Sequence, residues 1–176
     1  MGIHYIPHLL FKNPRTEKKI RALCQKKTIE SRQKWLGVYY AQEILTPPSF
    51  NYTIAWIQDE IGYGILTNEP LAKNTFIGEY VGLVRKKGIF GRWKNSYCFD
   101  YTIDLEEEAH YVIDAKTYGN FTRYINDKKK GNLDTVSILS GGIMHIILIA
   151  NRDIPTGQEL TYHYGDDFWE KRKKPI

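Results

Sequence analysis

The sequence predicts a mainly β domain made of small sheets, preceded by a short helical element. Three observations carry this. Beyond residue 50, short runs rich in Tyr, Val, Ile and Thr recur at brief intervals. Glycines such as Gly78, Gly82 and Gly157 interrupt or separate these runs. Ahead of them lies a charged, sparsely apolar stretch that ends before the break Thr46-Pro47-Pro48-Ser49.

Taken in order, residues 1–14 read as an irregular arm with Pro7 and Pro14 as breakers. Asn13-Pro14 is a helix start, a capping side chain followed by proline at the first helical position. Residues 15–35 then read as a helix whose apolar face is Ile20, Leu23, Cys24 and Trp35. Strands are expected at residues 52–57, 75–84, 97–103 and 111–113, a glycine-interrupted strand or turn at 61–66, and a helical turn at 117–125. Residues 136–139 and 143–150 are apolar enough to be buried strands. A turn at 153–157 leads to a last strand at 159–164, and Phe168 and Trp169 stand in a polar tail. The expected organisation is an N-terminal accessory region (1–50), a main domain (51–165) and a short aromatic and basic tail (166–176).

The composition narrows the function classes. A chain of 176 residues and 20.6 kDa suits one ordinary domain with a core. With 42% hydrophobic and 26% charged residues, wholesale disorder is excluded. No run approaches the roughly 18–20 apolar residues of a membrane span, and Met1-Gly2-Ile3-His4-Tyr5 lacks the regions of a signal peptide. Cys24 and Cys98 alone cannot make a disulfide framework or a four-cysteine zinc site, which suits a reducing intracellular compartment. Lysine and arginine number 25 against 20 acids, a net charge of +5. The basic residues lie in short runs, among them Lys128-Lys129-Lys130 and Lys171-Arg172-Lys173-Lys174, which read as solvated loops and tails or as phosphate contacts. Asp104 and Glu106-Glu107-Glu108 form an acidic cluster, a solvated loop or a patch for a lysine-rich partner.

Phosphate-loop, dinucleotide, H-E-x-x-H and G-x-S-x-G motifs are missing. Three other segments stand out. Ile61-Gly62-Tyr63-Gly64 places glycines around an aromatic, where backbone can approach a ligand. Gly119-Asn120-Phe121-Thr122-Arg123-Tyr124-Ile125-Asn126-Asp127, with Asn132 beyond it, carries asparagines suited to hydrogen bonding. Glu159-Leu160-Thr161-Tyr162-His163-Tyr164-Gly165 puts two tyrosines on one face of a strand, able to line one cavity.

Over residues 52–169 the order and separation of these segments resemble the SET-domain protein lysine methyltransferases. Gly62-Tyr63-Gly64 matches the family's first motif, and Gly78-Glu79-Tyr80-Val81-Gly82 a G-E-Y-x-G strand. Residues 119–132 follow the pattern G-N-x-x-R-F-I-N-H-S-C-x-P-N, and Arg152 to Gly165 follows R-D-I-P-x-G-x-E-L-T-Y-x-Y-G almost residue for residue. Departures stand in the first of these patterns. Asp127 takes the place of the family's histidine, giving up that side chain's hydrogen bond, and Lys128, Lys129 and Gly131 replace serine, cysteine and proline. No cysteine follows Cys98, so the zinc that many relatives hold beside the lysine channel is not expected.

The resemblance implies a SET fold of small curved β-sheets with a knot-like C-terminal segment. It implies methyl transfer from S-adenosylmethionine to a lysine of a protein or peptide such as a histone tail, with S-adenosylhomocysteine as product. By motif position, Tyr164 is the catalytic tyrosine and Tyr162 sets the number of methyls, here mainly one. Tyr80 lines the channel. Cofactor contacts fall to Ile61, Gly62, Tyr63, Gly64, Arg123, Tyr124, Asn126, Asp127, Tyr164 and Trp169. For Arg123 a structural role weighs equally. Substrate contacts fall to Tyr80, Tyr97, Phe99, Tyr101, Tyr162 and Phe168, and Phe168 and Trp169 take over closure of the channel or anchor the tail. No membrane and no nucleic acid is required, and a homo-oligomer is compatible. Nuclear or chromatin location follows if the substrate is histone, and a compact chain without zinc-rich flanks suits a microbial protein acting in a host. Three alternatives stand beside this reading: a methyltransferase of a non-histone protein, an inert SET-like module that only binds a peptide or partner, and a basic nucleic-acid binder.

Overall fold

The computed structural model describes residues 2–26, 29–49, 51–88, 95–101 and 111–169. The acidic cluster at residues 104–108, the end of the strand expected at 97–103 and the basic tail at 171–174 lie outside them. Strands dominate. In chain order the elements are β1 (His4–Tyr5), β2 (Leu10–Phe11), α1 (Pro14–Lys26), α2 (Ser31–Tyr39), α3 (Ala41–Leu45), β3 (Tyr52–Gln58), β4 (Gly62–Thr67), β5 (Phe76–Glu79), β6 (Leu83–Lys86), β7 (Cys98–Tyr101), β8 (Tyr111–Asp114), β9 (Tyr118–Gly119), β10 (Asn126–Asp127), β11 (Leu133–Ser140), β12 (Ile143–Ala150), β13 (Thr161–Tyr162) and α4 (Asp166–Trp169). A 3-10 turn covers Phe121–Tyr124.

The chain divides into two compact units, one of Met1–Pro48, Gly78–Arg123 and Val136–Ile147, the other of Ser49–Ile77, Tyr124–Thr135 and Leu148–Ile176. A three-stranded sheet has the order β11-β12-β5.

In the first unit, α1 begins as its sequence requires. Asn13 Oδ1 accepts from the Thr16 backbone N–H at 2.8 Å, capping a free donor of the first turn, and Pro14 opens the helix. Ile20 and Cys24 form its buried face. The helix does not run to residue 35. Trp35 stands on a second helix, α2, 62% exposed and stacked on Tyr39 with ring centroids 5.2 Å apart. The expected single helix fails because the apolar positions are too sparse to hold one face over that length. The arm before α1 is not irregular either. β1 pairs in parallel with β9, and β2 with β6. Two-residue strands carry no local period, so their pairing depends on partners far along the chain. The main sheet runs β2-β6-β8-β7 over a core of Ile20, Tyr101, Ile113, Ile138, Met144 and Ile147.

In the second unit, β3 and β4 form an antiparallel pair with an irregularity between Trp56 and Gln58. β10 pairs in parallel with β13, Asn126 opposite Thr161 and Asp127 opposite Tyr162. Leu66 bridges Glu159, which ties β4 to the segment leading into β13. Ile65, Ile77, Ile125, Leu148, Ile154 and Leu160 fill the core.

Candidate active site

The pairing of β10 with β13 brings two of the three sequence segments side by side, and the third joins through a side chain. Asn126 donates from Nδ2 to the Tyr63 carbonyl at 3.2 Å and to Glu159 Oε1 at 2.9 Å. The approach is close: a Cβ on Gly64 would lie 2.6 Å from Glu159 Oε1 and 2.9 Å from Asn126 Nδ2, so any other residue there would push these side chains aside. Because both partners of Nδ2 are acceptors, the amide is oriented. Among the described residues Asn126 Oδ1 has no partner, leaving an acceptor for an ammonium or hydroxyl group. Nearby, Tyr63 meets the edges of Trp56 and Tyr124, and Trp56, Ile61 and Tyr63 keep exposed surface.

Tyr164 stands two residues beyond β13. Its hydroxyl donates to the Ile125 carbonyl at 2.7 Å, and a hydroxyl that donates can also accept. Its ring lies 4.8 Å from Tyr162, 4.8 Å from Phe168 and 6.4 Å from Trp169, the last nearly parallel at 3°. Tyr162 is buried. Asp127, at the position of the family's histidine, makes two hydrogen bonds of its own. Its Oδ1 accepts from the Tyr164 backbone N–H at 2.8 Å, and its Oδ2 from Trp169 Nε1 at 3.0 Å.

The other expected residues belong to the first unit. Tyr80 donates its hydroxyl to the Tyr97 carbonyl at 2.8 Å, and its ring lies 5.3 Å from Phe99. Arg123 donates from Nε to the Ala115 carbonyl at 2.8 Å and lies 3.8 Å over the Tyr97 ring, a structural engagement of a buried cation. Tyr101 is a core residue, 2% exposed, donating its hydroxyl to the Met144 carbonyl at 2.5 Å. Burial pushes its phenol well above the ordinary tyrosine value. At that depth the ring offers almost no surface to a substrate.

Sequence reasoning missed the supports. Glu159 orients Asn126, and Asn132 clamps the approach to β13 by donating to the Glu159 carbonyl and accepting from the Thr161 N–H, both at 2.8 Å. Glu79, just before Tyr80, pairs with His145 Nδ1 at 2.7 Å. Its carbonyl accepts from Asn120 and Thr122. Glu159 sits inside a quoted motif, yet no spacing rule announces a partner 33 residues away.

A family model described as the SET domain matches residues 62–165. Histone-lysine N-methyltransferase SUV39H1 of Xenopus laevis is 33% identical over 127 residues, 66% of this chain and 30% of that protein. Histone-lysine N-methyltransferase Set8 of Drosophila melanogaster is 34% identical over 113 residues, 60% of this chain and 16% of that protein. Among solved structures, KRYPTONITE in complex with mCHH DNA, H3(1-15) peptide and SAH matches with a TM-score of 0.57 at 29% identity, covering 66% of this chain and 24% of that one. Polycomb repressive complex 2 of Chaetomium thermophilum matches with a TM-score of 0.61 at 29% identity, covering 75% and 17%. The chain thus spans less than a third of the length of these relatives. With the motifs, the strand pairing and the family match in agreement, the chain belongs to the SET-domain family.

Proposed function

We propose that the chain is an S-adenosylmethionine-dependent protein-lysine N-methyltransferase that acts on a basic peptide segment such as a histone tail and mainly monomethylates it. The observation that carries this is Tyr164. Its hydroxyl donates to the Ile125 carbonyl, a hydroxyl oxygen can accept as well as donate, and its ring stands among Tyr162, Phe168 and Trp169. Relatives named as histone-lysine N-methyltransferases and a neighbour solved with an H3 peptide and SAH support the substrate and cofactor class.

The residues present fit the cofactor. Asn126 Oδ1 is an acceptor for the ammonium of its amino-acid part, and Ile61, Tyr63 and backbone around Gly62 and Gly64 offer an open, partly aromatic surface. Tyr124, Asp127 and Trp169 complete this side, and Arg123 serves in support. When bound, S-adenosylmethionine supplies an electrophilic methyl on a sulfonium.

The protein must align the two reactants, exclude water and keep the lysine amine neutral. A free lysine titrates near about 10.4 and has no lone pair available at pH 7. Aromatic walls disfavour the ammonium form and so expose the lone pair. The Tyr164 oxygen accepts an amine N–H and aims that lone pair, while the Tyr162 hydroxyl occupies space that a methylated amine would need. Tyr80, Tyr97 and Phe99 are assigned to the peptide, with Phe168 on the lysine side chain. Residues 1–50 serve as an accessory region, and action on histone would place the protein at chromatin.

The test is transfer of a radiolabelled methyl group to core histones and to a cell lysate by wild type and Tyr164→Phe. Transfer by wild type, lowered about a hundredfold or more in the variant, is expected. Binding of a basic peptide with no transfer would instead identify an inert module.

A further inference from the structure

We propose that Asp127 is a latch that holds the C-terminal aromatic segment against Tyr164, a positioning role that rests on the methyltransferase reading for its effect on catalysis. The carboxylate is buried, its side chain 4% exposed, and its two oxygens divide their work. Oδ1 takes the Tyr164 backbone N–H at 2.8 Å, with His163 Nδ1 at 3.4 Å beside it. Oδ2 takes the Trp169 indole N–H at 3.0 Å. His163 Nε2 lies 3.6 Å from Asp166 Oδ1.

This division needs a carboxylate. An ionised aspartate only accepts and offers two separate oxygens, so it serves two N–H donors arriving from different parts of the chain. Asparagine has one such oxygen, and the amide nitrogen beside it would face the indole N–H as a second donor. A histidine ring has at most one acceptor nitrogen. The residue that breaks the family's pattern is therefore the one that lets a tryptophan five residues beyond Tyr164 be fastened beside it. Trp169 lies parallel to the Tyr164 ring, and Phe168 meets both rings edge-on at 4.8 and 4.9 Å. Releasing the indole N–H loosens two aromatic neighbours of Tyr164, Phe168 and Trp169, at once.

The test combines an indole N–H NMR spectrum with methyl-transfer kinetics. Trp169→Phe identifies the Trp169 indole signal by its loss. In Asp127→Asn that signal is expected to shift while the Trp35 and Trp56 signals hold. Asp127→Asn and Trp169→Phe are each expected to lower kcat/KM about tenfold. The double variant falls no further than about twofold below either, because both remove one contact. An unmoved indole signal in Asp127→Asn, unchanged kinetics in Trp169→Phe, or losses that multiply would each overturn the latch. A wild type without methyl transfer overturns the enzyme reading instead, and the indole signal then decides the latch by itself.

Discussion

Glu159 holds Asn126. The Asn126 amide nitrogen donates to Glu159 Oε1 at 2.9 Å, across 33 residues of chain, and the same nitrogen reaches the Tyr63 carbonyl. Both contacts turn the amide oxygen outward. Asn126→Ala removes that oxygen and is expected to weaken S-adenosylmethionine binding by about ten- to a hundredfold in titration calorimetry. Glu159→Gln, which can turn a competing donor toward Nδ2, is expected to weaken it by less. Unchanged affinity in Asn126→Ala would remove this residue from the cofactor site.

Tyr162 is buried with its ring against Tyr164. Tyr162→Phe deletes only the hydroxyl and so opens room beside the amine. Mass spectrometry of the methylated peptide is expected to show di- and trimethyl products from the variant where wild type stops mainly at one. An identical product distribution would show that the hydroxyl does not limit the count.

Gly37 lies in α2 where a Cβ would fall 1.8 Å from the Leu139 carbonyl oxygen and 2.6 Å from its carbon. These are backbone atoms, which yield only if the helix moves. Gly37→Ala is expected to lose about 1–3 kcal/mol despite alanine's better helix propensity. Thermal melting is the check, and an unchanged or raised Tm would mean that helix and strand separate at no cost.

Asp114 ties β8 to β6 and to the segment before β7. Arg85 donates to its Oδ2 from Nε at 3.0 Å and Nη2 at 2.7 Å, and Asn95 to its Oδ1 at 3.0 Å. Burial pushes its carboxyl up, but the hydrogen bonds from Asn95, Arg85 and the Lys116 backbone outweigh this and hold it below the ordinary value of 3.8. A lowered folded pKa contributes stability that is complete above the unfolded value and is lost as pH falls through the folded one. The Tm gap between wild type and Asp114→Asn should therefore be level above about pH 5 and close below about pH 4. A gap that ignores pH would mean that the charge contributes nothing.

How much of this was legible in the residues differs by element. Asn13-Pro14 announced the start of α1, because a cap is a contact within one turn of chain. Apolar runs announced β12, whose eight residues are all buried. The motifs around Gly62, Asn126 and Tyr164 identified the family and its tyrosines, because those residues recur in order along the chain. Pairings between distant segments left no such mark. β1 and β2 had no period to read, Trp35 was assigned to a buried face it does not occupy, and Tyr101 was assigned to substrate although it fills the core. Asp127 read as the loss of a histidine, and only the folded chain brings Trp169 to its second oxygen. The chain's order thus determined fold class, family and the chemistry-bearing residue types, all carried by short-range pattern. Tertiary structure decided which carboxylate orients which amide, and which aromatic ring closes on the tyrosine, because those contacts form only when strands far apart in sequence pair.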